Sequence, residues 1–142
     1  MTLVIDASVV IKWYVTENDS AIAETLLDTE ETFLVPDLLF AECASILTKI
    51  VRQKALTPER ALVIIEAIKD GPFMIIPNSR IAADALRVAM SNSAGVSAYD
   101  ASYVALADLF NTSFITADEK LVRKLAGTPS ASKVRLLGDY TN

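Results

Sequence analysis

The feature that most constrains the fold is the regular alternation of short apolar runs with longer segments of helical periodicity. Five runs rich in β-branched or aromatic residues are typical of buried strands; they lie at residues 3–5, 33–35, 73–76, 113–115 and 134–137. The segments between them show the three- and four-residue spacing of amphipathic helices; they lie at residues 20–27, 37–53, 58–69, 79–90, 99–110 and 119–125.

Strands that are apolar on both faces, joined by crossovers long enough to contain a helix, indicate a mostly parallel sheet covered on both sides. We therefore predict a single α/β domain over residues 1–142, folded as a three-layer α/β/α sandwich with roughly five strands. Residues 92–97 and 127–132 predict loops.

Because no apolar run reaches about 18 residues and no signal-peptide pattern is found, we expect a cytoplasmic protein that does not enter a membrane.

The composition excludes several kinds of catalytic site. Histidine is absent, which excludes Ser-His-Asp triads, Cys-His pairs and nearly all zinc sites. The single cysteine, Cys43, cannot form an intramolecular disulfide and has no base partner for a catalytic thiol. The formal charge of -5, from 13 basic and 18 acidic residues, is unfavourable for binding a polyanion by surface charge alone. Carboxylate chemistry remains.

Four acids occupy positions where a charged residue is unusual. Asp6 ends an otherwise apolar strand, and ligands in open parallel sheets bind at that edge. Asp118 follows the fourth predicted strand, whereas Glu42 and Asp100 lie on the inward stripes of predicted helices. Each has a structural alternative: Asp6 and Asp118 could cap helices, Glu42 could reach solvent, and Asp100 could complete a capping box with Ser97.

If these four carboxylates lie close together in the fold, their arrangement would indicate a functional site. Ionised carboxylates within a few ångströms repel one another, and the usual remedy is a divalent cation. Oxygen-only ligands favour Mg²⁺ or Mn²⁺ over zinc or copper, and such ions support phosphodiester hydrolysis without histidine. Ser8 and Thr116, close in sequence to Asp6 and Asp118, are candidates for supporting hydrogen bonds to a water or a phosphate oxygen.

Four segments, in their order and spacing, resemble the PIN domain, and within it the VapC-type toxins of bacterial and archaeal toxin-antitoxin pairs; they are residues 4–9, 36–42, 99–107 and 116–121. The resemblance spans nearly the whole chain. It implies that Asp6, Glu42, Asp100 and Asp118 are the catalytic, metal-binding acids, with Thr116 beside them. It also implies Mg²⁺- or Mn²⁺-dependent cleavage of single-stranded RNA.

The resemblance further implies a homodimer and a small antitoxin partner whose C-terminal segment covers the active-site groove. The helix around residues 61–65 is apolar on more than one face, as expected of either an interface helix or a deeply buried core helix. The sequence departs from some PIN domains two residues after Asp118, where Lys120 replaces a further acid. This departure argues against a full second-metal site.

Other residues have two interpretations each. Lys12, Arg52 and Lys120 are candidate contacts to the RNA backbone, although solvated helix faces explain them equally well. Trp13 and Tyr14 could stack on bases, but packing in the core is the better explanation.

Three rival functions are compatible with acids at strand ends. A haloacid-dehalogenase phosphatase expects a second aspartate where this chain has Ser8. A non-enzymatic phospho-receiver domain needs an acceptor at the end of a middle strand, a place that Asp37 fits poorly. A PIN nuclease could also act in RNA processing or decay without being a toxin.

Overall fold

The computed structural model describes residues 1–140. Its five strands form one sheet in the order β3-β2-β1-β4-β5; they are β1 (Thr2–Ile5), β2 (Thr32–Pro36), β3 (Phe73–Ile76), β4 (Phe114–Thr116) and β5 (Val134–Leu136). Every neighbouring pair of these strands is parallel, and each strand overlaps a predicted apolar run. The predicted parallel α/β sheet is confirmed.

Helices connect the strands: α1 (Ala7–Val10), α2 (Ser20–Leu27), α3 (Leu38–Arg52), α4 (Pro58–Lys69), α5 (Asn78–Ser91), α6 (Ala98–Phe110) and α7 (Glu119–Leu125). All but α1 match predicted helices, with ends that differ by no more than one residue. The one-turn α1 was not predicted, because a helix of four residues is too short to show a periodicity.

Local capping chemistry fixes the first residues of α4 and α6. Thr57 accepts a 3.1 Å hydrogen bond from the backbone N–H of Arg60, and Pro58 occupies the first position of α4. Ser97 caps α6 by accepting a 3.1 Å bond from the N–H of Asp100. The predicted loop at residues 92–97 is therefore confirmed, since α5 ends at Ser91 and α6 begins at Ala98.

The fifth strand and the loop before it differ slightly from their predicted ranges. The strand ends at Leu136, and a short 3-10 turn, Leu137–Asp139, follows it. A second 3-10 turn, Ala131–Lys133, overlaps the end of the predicted loop at residues 127–132. Such single turns cannot be separated from loops by hydrophobic pattern, since they bury few side chains.

Apolar cores lie on both faces of the sheet. One core joins the sheet to α1, α3 and α4 through side chains such as Val9, Leu39 and Ile64. The other joins it to α5, α6 and α7 and includes Leu106 and Leu121. The three-layer α/β/α sandwich is thus confirmed, because each face of the parallel sheet is covered by helices.

Trp13 lies against the first of these cores. Its ring stacks on Phe73 with centroids 6.0 Å apart and is tilted against Phe33 at 5.5 Å. The indole N–H donates a 2.8 Å hydrogen bond to the carbonyl of Ala23. These contacts confirm the core role preferred for Trp13 on sequence grounds.

The strand order places a topological switch point beside the central strand. From β1 the chain adds β2 and then β3 on one side, and later β4 and then β5 on the other. Ligands of open α/β sheets bind outside the carboxyl ends of the strands at such a point. Asp6 follows β1 and Thr116 ends β4, so both lie at this position. No helix within residues 1–140 is long and apolar enough to cross a membrane.

Candidate active site

Asp6 is the most enclosed of the four predicted acids, with 7% of its surface exposed. Its carboxylate caps α1, as the structural alternative expected, and also accepts hydrogen bonds from the hydroxyls of Ser8 at 2.5 Å and Thr116 at 2.6 Å. Burial raises the pKa of Asp6 to about 6, against the lowering effect of the two hydroxyl donors; the negative charge of Glu42 adds to the rise. Asp6 is therefore both a helix cap and a candidate site residue.

A hydroxyl network joins the ends of β1 and β4. The Ser8 hydroxyl, besides donating to Asp6, accepts a 2.9 Å bond from the backbone N–H of Ala117. The Thr116 hydroxyl accepts a 3.1 Å bond from the N–H of Asp118. The supporting residues predicted from sequence, Ser8 and Thr116, therefore both contact Asp6 and both hold the turn that leads to Asp118.

Glu42 lies near the start of α3 and is half-buried. One of its carboxylate oxygens, Oε1, accepts a 2.6 Å hydrogen bond from the hydroxyl of Tyr103 on α6. Burial raises the pKa of Glu42, and the nearby charge of Asp100 adds to the rise, whereas the bond from Tyr103 opposes it. The side chain faces the core side of its helix, as the apolar stripe predicted.

Asp100 lies in the first turn of α6 and is also half-buried. Burial is the main cause that raises its pKa, followed by the negative charge of Asp118; the Lys124 ammonium and a hydrogen bond with Ser97 act in the opposite direction. Ser97 caps α6 by accepting from the N–H of Asp100, which is the serine half of the predicted capping box. Asp100 is therefore both a residue of the capped first turn and a neighbour of another acid.

Asp118 is exposed and begins α7, where its carboxylate accepts a 3.1 Å bond from the N–H of Leu121. Asp118 completes a series of four acids in which the negative charge of each raises the pKa of the one before it. We call this series the acid row; its members are Asp6, Glu42, Asp100 and Asp118. Within residues 1–140 no lysine or arginine forms an ion pair with any member. Repulsion along the row is thus not relieved by a paired basic side chain.

The acid row is not a single compact cluster. In the part of the chain that the structure describes, no group of three or more acid, histidine or cysteine side chains lies in a metal-binding arrangement. The structure therefore brings the four acids together in neighbouring pairs, at and beside the carboxyl edge of the sheet. This is a looser arrangement than the common site expected from the sequence.

The three basic candidates have different surroundings. Lys12 is mostly buried and forms a 3.1 Å ion pair with Glu17. Arg52 ends α3, ten residues after Glu42, which corresponds to about 15 Å along the helix axis, and it lines an apolar groove instead of the acid row. Lys120 is exposed in the first turn of α7. Of the three, Lys120 is nearest in sequence to a member of the acid row.

One residue in direct contact with the acid row was not among the candidate site residues. Tyr103 donates a hydrogen bond to Glu42, whereas the Lys124 ammonium acts on Asp100 through its charge. The sequence does carry a signal for Tyr103, because it lies one turn after Asp100 as a polar group within a run that is buried from Ala101 to Ala107. The sequence could not identify Glu42 as its partner, because the two residues lie on different helices.

Cys43 is buried directly beside Glu42 in α3. Burial raises the pKa of its thiol to about 12, and the negative charges of Glu42 and Asp6 contribute to the rise. The thiol therefore stays protonated at neutral pH. Burial and the protonated state of the thiol both disfavour a nucleophilic role, because the exposed thiolate is the reactive form.

The fold defines an open, parallel α/β protein, with acidic side chains at and beside the topological switch point of its sheet. A model of the PIN domain family matches residues 3–126. The chain is also 31% identical over 126 residues to Ribonuclease VapC3 of Pyrobaculum aerophilum, a match that covers 87% of this chain and 95% of that protein. The chain belongs to the PIN domain family, as the sequence motifs indicated.

Solved structures show the same fold at lower identity. The crystal structure of PAE2754 from Pyrobaculum aerophilum matches with a TM-score of 0.70 and 20% identity, over 97% of this chain and 85% of that chain. A toxin-antitoxin complex from Klebsiella pneumoniae matches with a TM-score of 0.64 and 15% identity, over 95% of this chain and 97% of that chain. Both likenesses extend over nearly the whole sandwich.

Proposed function

We propose that this protein is an Mg²⁺- or Mn²⁺-dependent endoribonuclease that hydrolyses single-stranded RNA in the cytoplasm. The observation that carries the proposal is the acid row at the carboxyl edge of the sheet, in which burial and mutual repulsion raise the pKa values of Asp6, Glu42 and Asp100. The name of the relative Ribonuclease VapC3 supports the same activity.

The ligand type offered by the acid row, rather than a preformed cluster, supports the binding of a divalent metal ion. All four side chains offer carboxylate oxygens, which are the ligands that Mg²⁺ and Mn²⁺ prefer. Asp6, Glu42, Asp100 and Asp118 would hold the ion, directly or through water. When bound, such an ion lowers the pKa of a water molecule and offsets negative charge on phosphate oxygens.

The remaining steps belong to the chain's own residues. The hydroxyls of Ser8 and Thr116 hold both oxygens of the Asp6 carboxylate, so that its orientation is set before any ligand arrives. Lys120 is exposed beside Asp118 and is available to contact a phosphate of the RNA backbone. The attack of water on the phosphodiester should leave a 5′-phosphate and a 3′-hydroxyl.

The test is cleavage of an end-labelled single-stranded RNA by the purified chain with Mg²⁺, with Mn²⁺ and with EDTA. Asp6→Ala should abolish cleavage, whereas Glu24→Gln, which removes an exposed charge on α2, should not. Products ending in a 2′,3′-cyclic phosphate would mean that the RNA's own 2′-hydroxyl attacks, and would contradict the mechanism. Absence of cutting by folded protein free of any partner would contradict the activity itself.

We also propose that the protein is the toxin of a toxin-antitoxin pair and forms a homodimer. The likeness to the toxin-antitoxin complex from Klebsiella pneumoniae supports the antitoxin partner. The surface of α4 supports the dimer. Leu62 and Val63 on this helix are 66% and 57% exposed, whereas the adjacent Ile64 is buried. The helix is thus apolar on two faces.

Growth measurements test the toxin role. Expression of the wild-type chain should arrest growth, expression of Asp6→Ala should not, and co-expression of a short reading frame beside the gene should relieve the arrest. Unimpaired growth with an active nuclease would instead favour a PIN enzyme of RNA processing or decay. Light scattering of the purified chain measures the dimer directly.

A further inference from the structure

Tyr103 approaches the acid row from the core side of the molecule. It lies on α6 one turn after Asp100, and only 1% of its surface is exposed. Its ring stacks on Phe114 of β4, with ring centroids 5.4 Å apart and planes inclined by 13°. Because the ring is enclosed by packed side chains, the phenol oxygen is held in one position.

The phenol hydroxyl donates a 2.6 Å hydrogen bond to Oε1 of Glu42, a residue 61 positions away in the sequence. A glutamate side chain has three rotatable bonds and adopts many conformers when it is free. The bond from a rigid donor selects among those conformers. The bond therefore restricts the motion of a carboxylate that is itself only half-buried.

The chemistry of the donor matters as much as its position. A lysine or arginine at this place would orient Glu42 but would also neutralise its charge and compete with a cation. A phenol is uncharged and leaves the carboxylate ionised. Hydrogen-bond donors behind metal-binding carboxylates orient those ligands in this way.

We propose that Tyr103 is a positioning residue that holds the Glu42 carboxylate in the orientation in which it binds a divalent cation. The inference rests on the proposed metal-dependent function. Glu42 stands between Asp6 and Asp100 in the acid row, so its orientation affects its relation to both neighbours. A buried phenol also needs an acceptor for structural reasons alone, and the experiment has to separate these two roles.

The discriminating variant is Tyr103→Phe, which keeps the ring and its stack on Phe114 and removes only the hydroxyl. Mn²⁺ binding to the full chain, without RNA, is measured by titration calorimetry. We expect Tyr103→Phe to bind Mn²⁺ about 10- to 100-fold more weakly than the wild type. Tyr99→Phe, which removes an exposed hydroxyl from the same helix, should bind as the wild type does.

A double-mutant cycle shows whether the effect passes through Glu42. In a Glu42→Gln background, adding Tyr103→Phe should cause no further loss of Mn²⁺ affinity. The same fractional loss in both backgrounds would overturn the inference, because a structural role of the hydroxyl does not depend on the carboxylate. Thermal unfolding of every variant sets a temperature at which all are folded for the comparison.

The remaining outcomes also decide the matter. Equal Mn²⁺ affinity of the wild type and Tyr103→Phe would overturn the positioning role and leave the proposed nuclease intact. No Mn²⁺ binding by the wild type would overturn the metal-dependent function, and this inference with it. The two failures are therefore distinguishable in one set of titrations.

Discussion

The hydroxyl of Thr116 donates a 2.6 Å hydrogen bond to Oδ2 of Asp6, a residue 110 positions earlier in the chain. The bond connects the carboxyl ends of β1 and β4 at the topological switch point of the sheet. Thr116 is fully buried, and Asp6 is nearly so. A hydrogen bond between buried partners in this position couples the stability of the sheet edge to the state of the acid row.

Thr116→Val tests this coupling, because valine keeps the shape of the side chain and removes the hydroxyl. The N–H of Asp118 and one oxygen of Asp6 both lose a partner. We expect a loss of about 1–3 kcal/mol in the free energy of unfolding, measured in urea. Thr25→Val, at an exposed position on α2, should change it by less than about 0.5 kcal/mol. Equal effects of the two substitutions would contradict the role of the Thr116 hydroxyl.

Asp6→Asn tests the cost of burying the carboxylate. The pKa of Asp6 is raised from 3.8 to about 6 in the folded protein. Between these pH values the folded state keeps a proton that the unfolded chain has lost, so its contribution to stability is present at low pH and disappears as the pH rises through about 6. Above pH 6 the ionised group disfavours the metal-free fold by up to about 3 kcal/mol.

Because asparagine carries no charge, the unfolding free energy of Asp6→Asn should rise relative to that of the wild type between pH 4 and pH 7. Urea unfolding in EDTA at several pH values in this range measures the difference. Loss of the carboxylate's hydrogen bonds with Ser8 and Thr116 shifts all the values by a constant amount. A difference that does not vary with pH would refute the raised pKa.

Divalent metal should stabilise the folded protein through the acid row. An ion that binds only the folded state, at 100 times its Kd, adds about 2.7 kcal/mol to the free energy of unfolding. For a chain of this size we expect Tm to rise by roughly 5–10 °C in saturating Mg²⁺ or Mn²⁺ and to fall back in EDTA. Scanning calorimetry measures the shift. Asp6→Ala should show little of it, and an equal shift in that variant would place the binding elsewhere.

Asp100→Asn should remove RNA cleavage while keeping the fold. The substitution preserves shape and the hydrogen bonding available at the start of α6 but removes one negative charge from the acid row. We expect kcat to fall by about 100-fold or more. Asp108→Asn, at an exposed position on the same helix, is the matched control and should retain full activity. Full activity of Asp100→Asn with a normal Tm would show that Asp100 has no part in catalysis.

Most of the fold was predictable because its determinants are local. The five short apolar runs gave strands, and the six amphipathic segments gave helices, since period and burial are set by neighbouring residues. The helix α1 was missed, because its single turn shows no period and three of its four residues are buried. Its first turn is capped by Asp6, whose carboxylate accepts a 3.4 Å hydrogen bond from the N–H of Val9.

The candidate site was predictable only in part. A charge that ends an apolar strand stands out in a sequence, and Asp6 is accordingly found at the carboxyl edge. The arrangement of the acids as a row was not predictable, nor was the bond from Tyr103 to Glu42. Both depend on how α3 and α6 pack against opposite faces of the sheet, which hydrophobic spacing within either helix does not specify.

Local patterns in the sequence were enough to predict the order and type of the elements and the parallel direction of the strands, and they identified carboxylates as the candidate site residues. The packing of the folded chain determines which hydroxyls hold Asp6 and which oxygen of Glu42 accepts from Tyr103. It also leaves the acids of residues 1–140 without one compact cluster. The difference comes from the distance along the chain over which each kind of interaction acts. Propensity and periodicity act over a few residues, whereas hydrogen bonds between distant residues are set by the packing of complete elements.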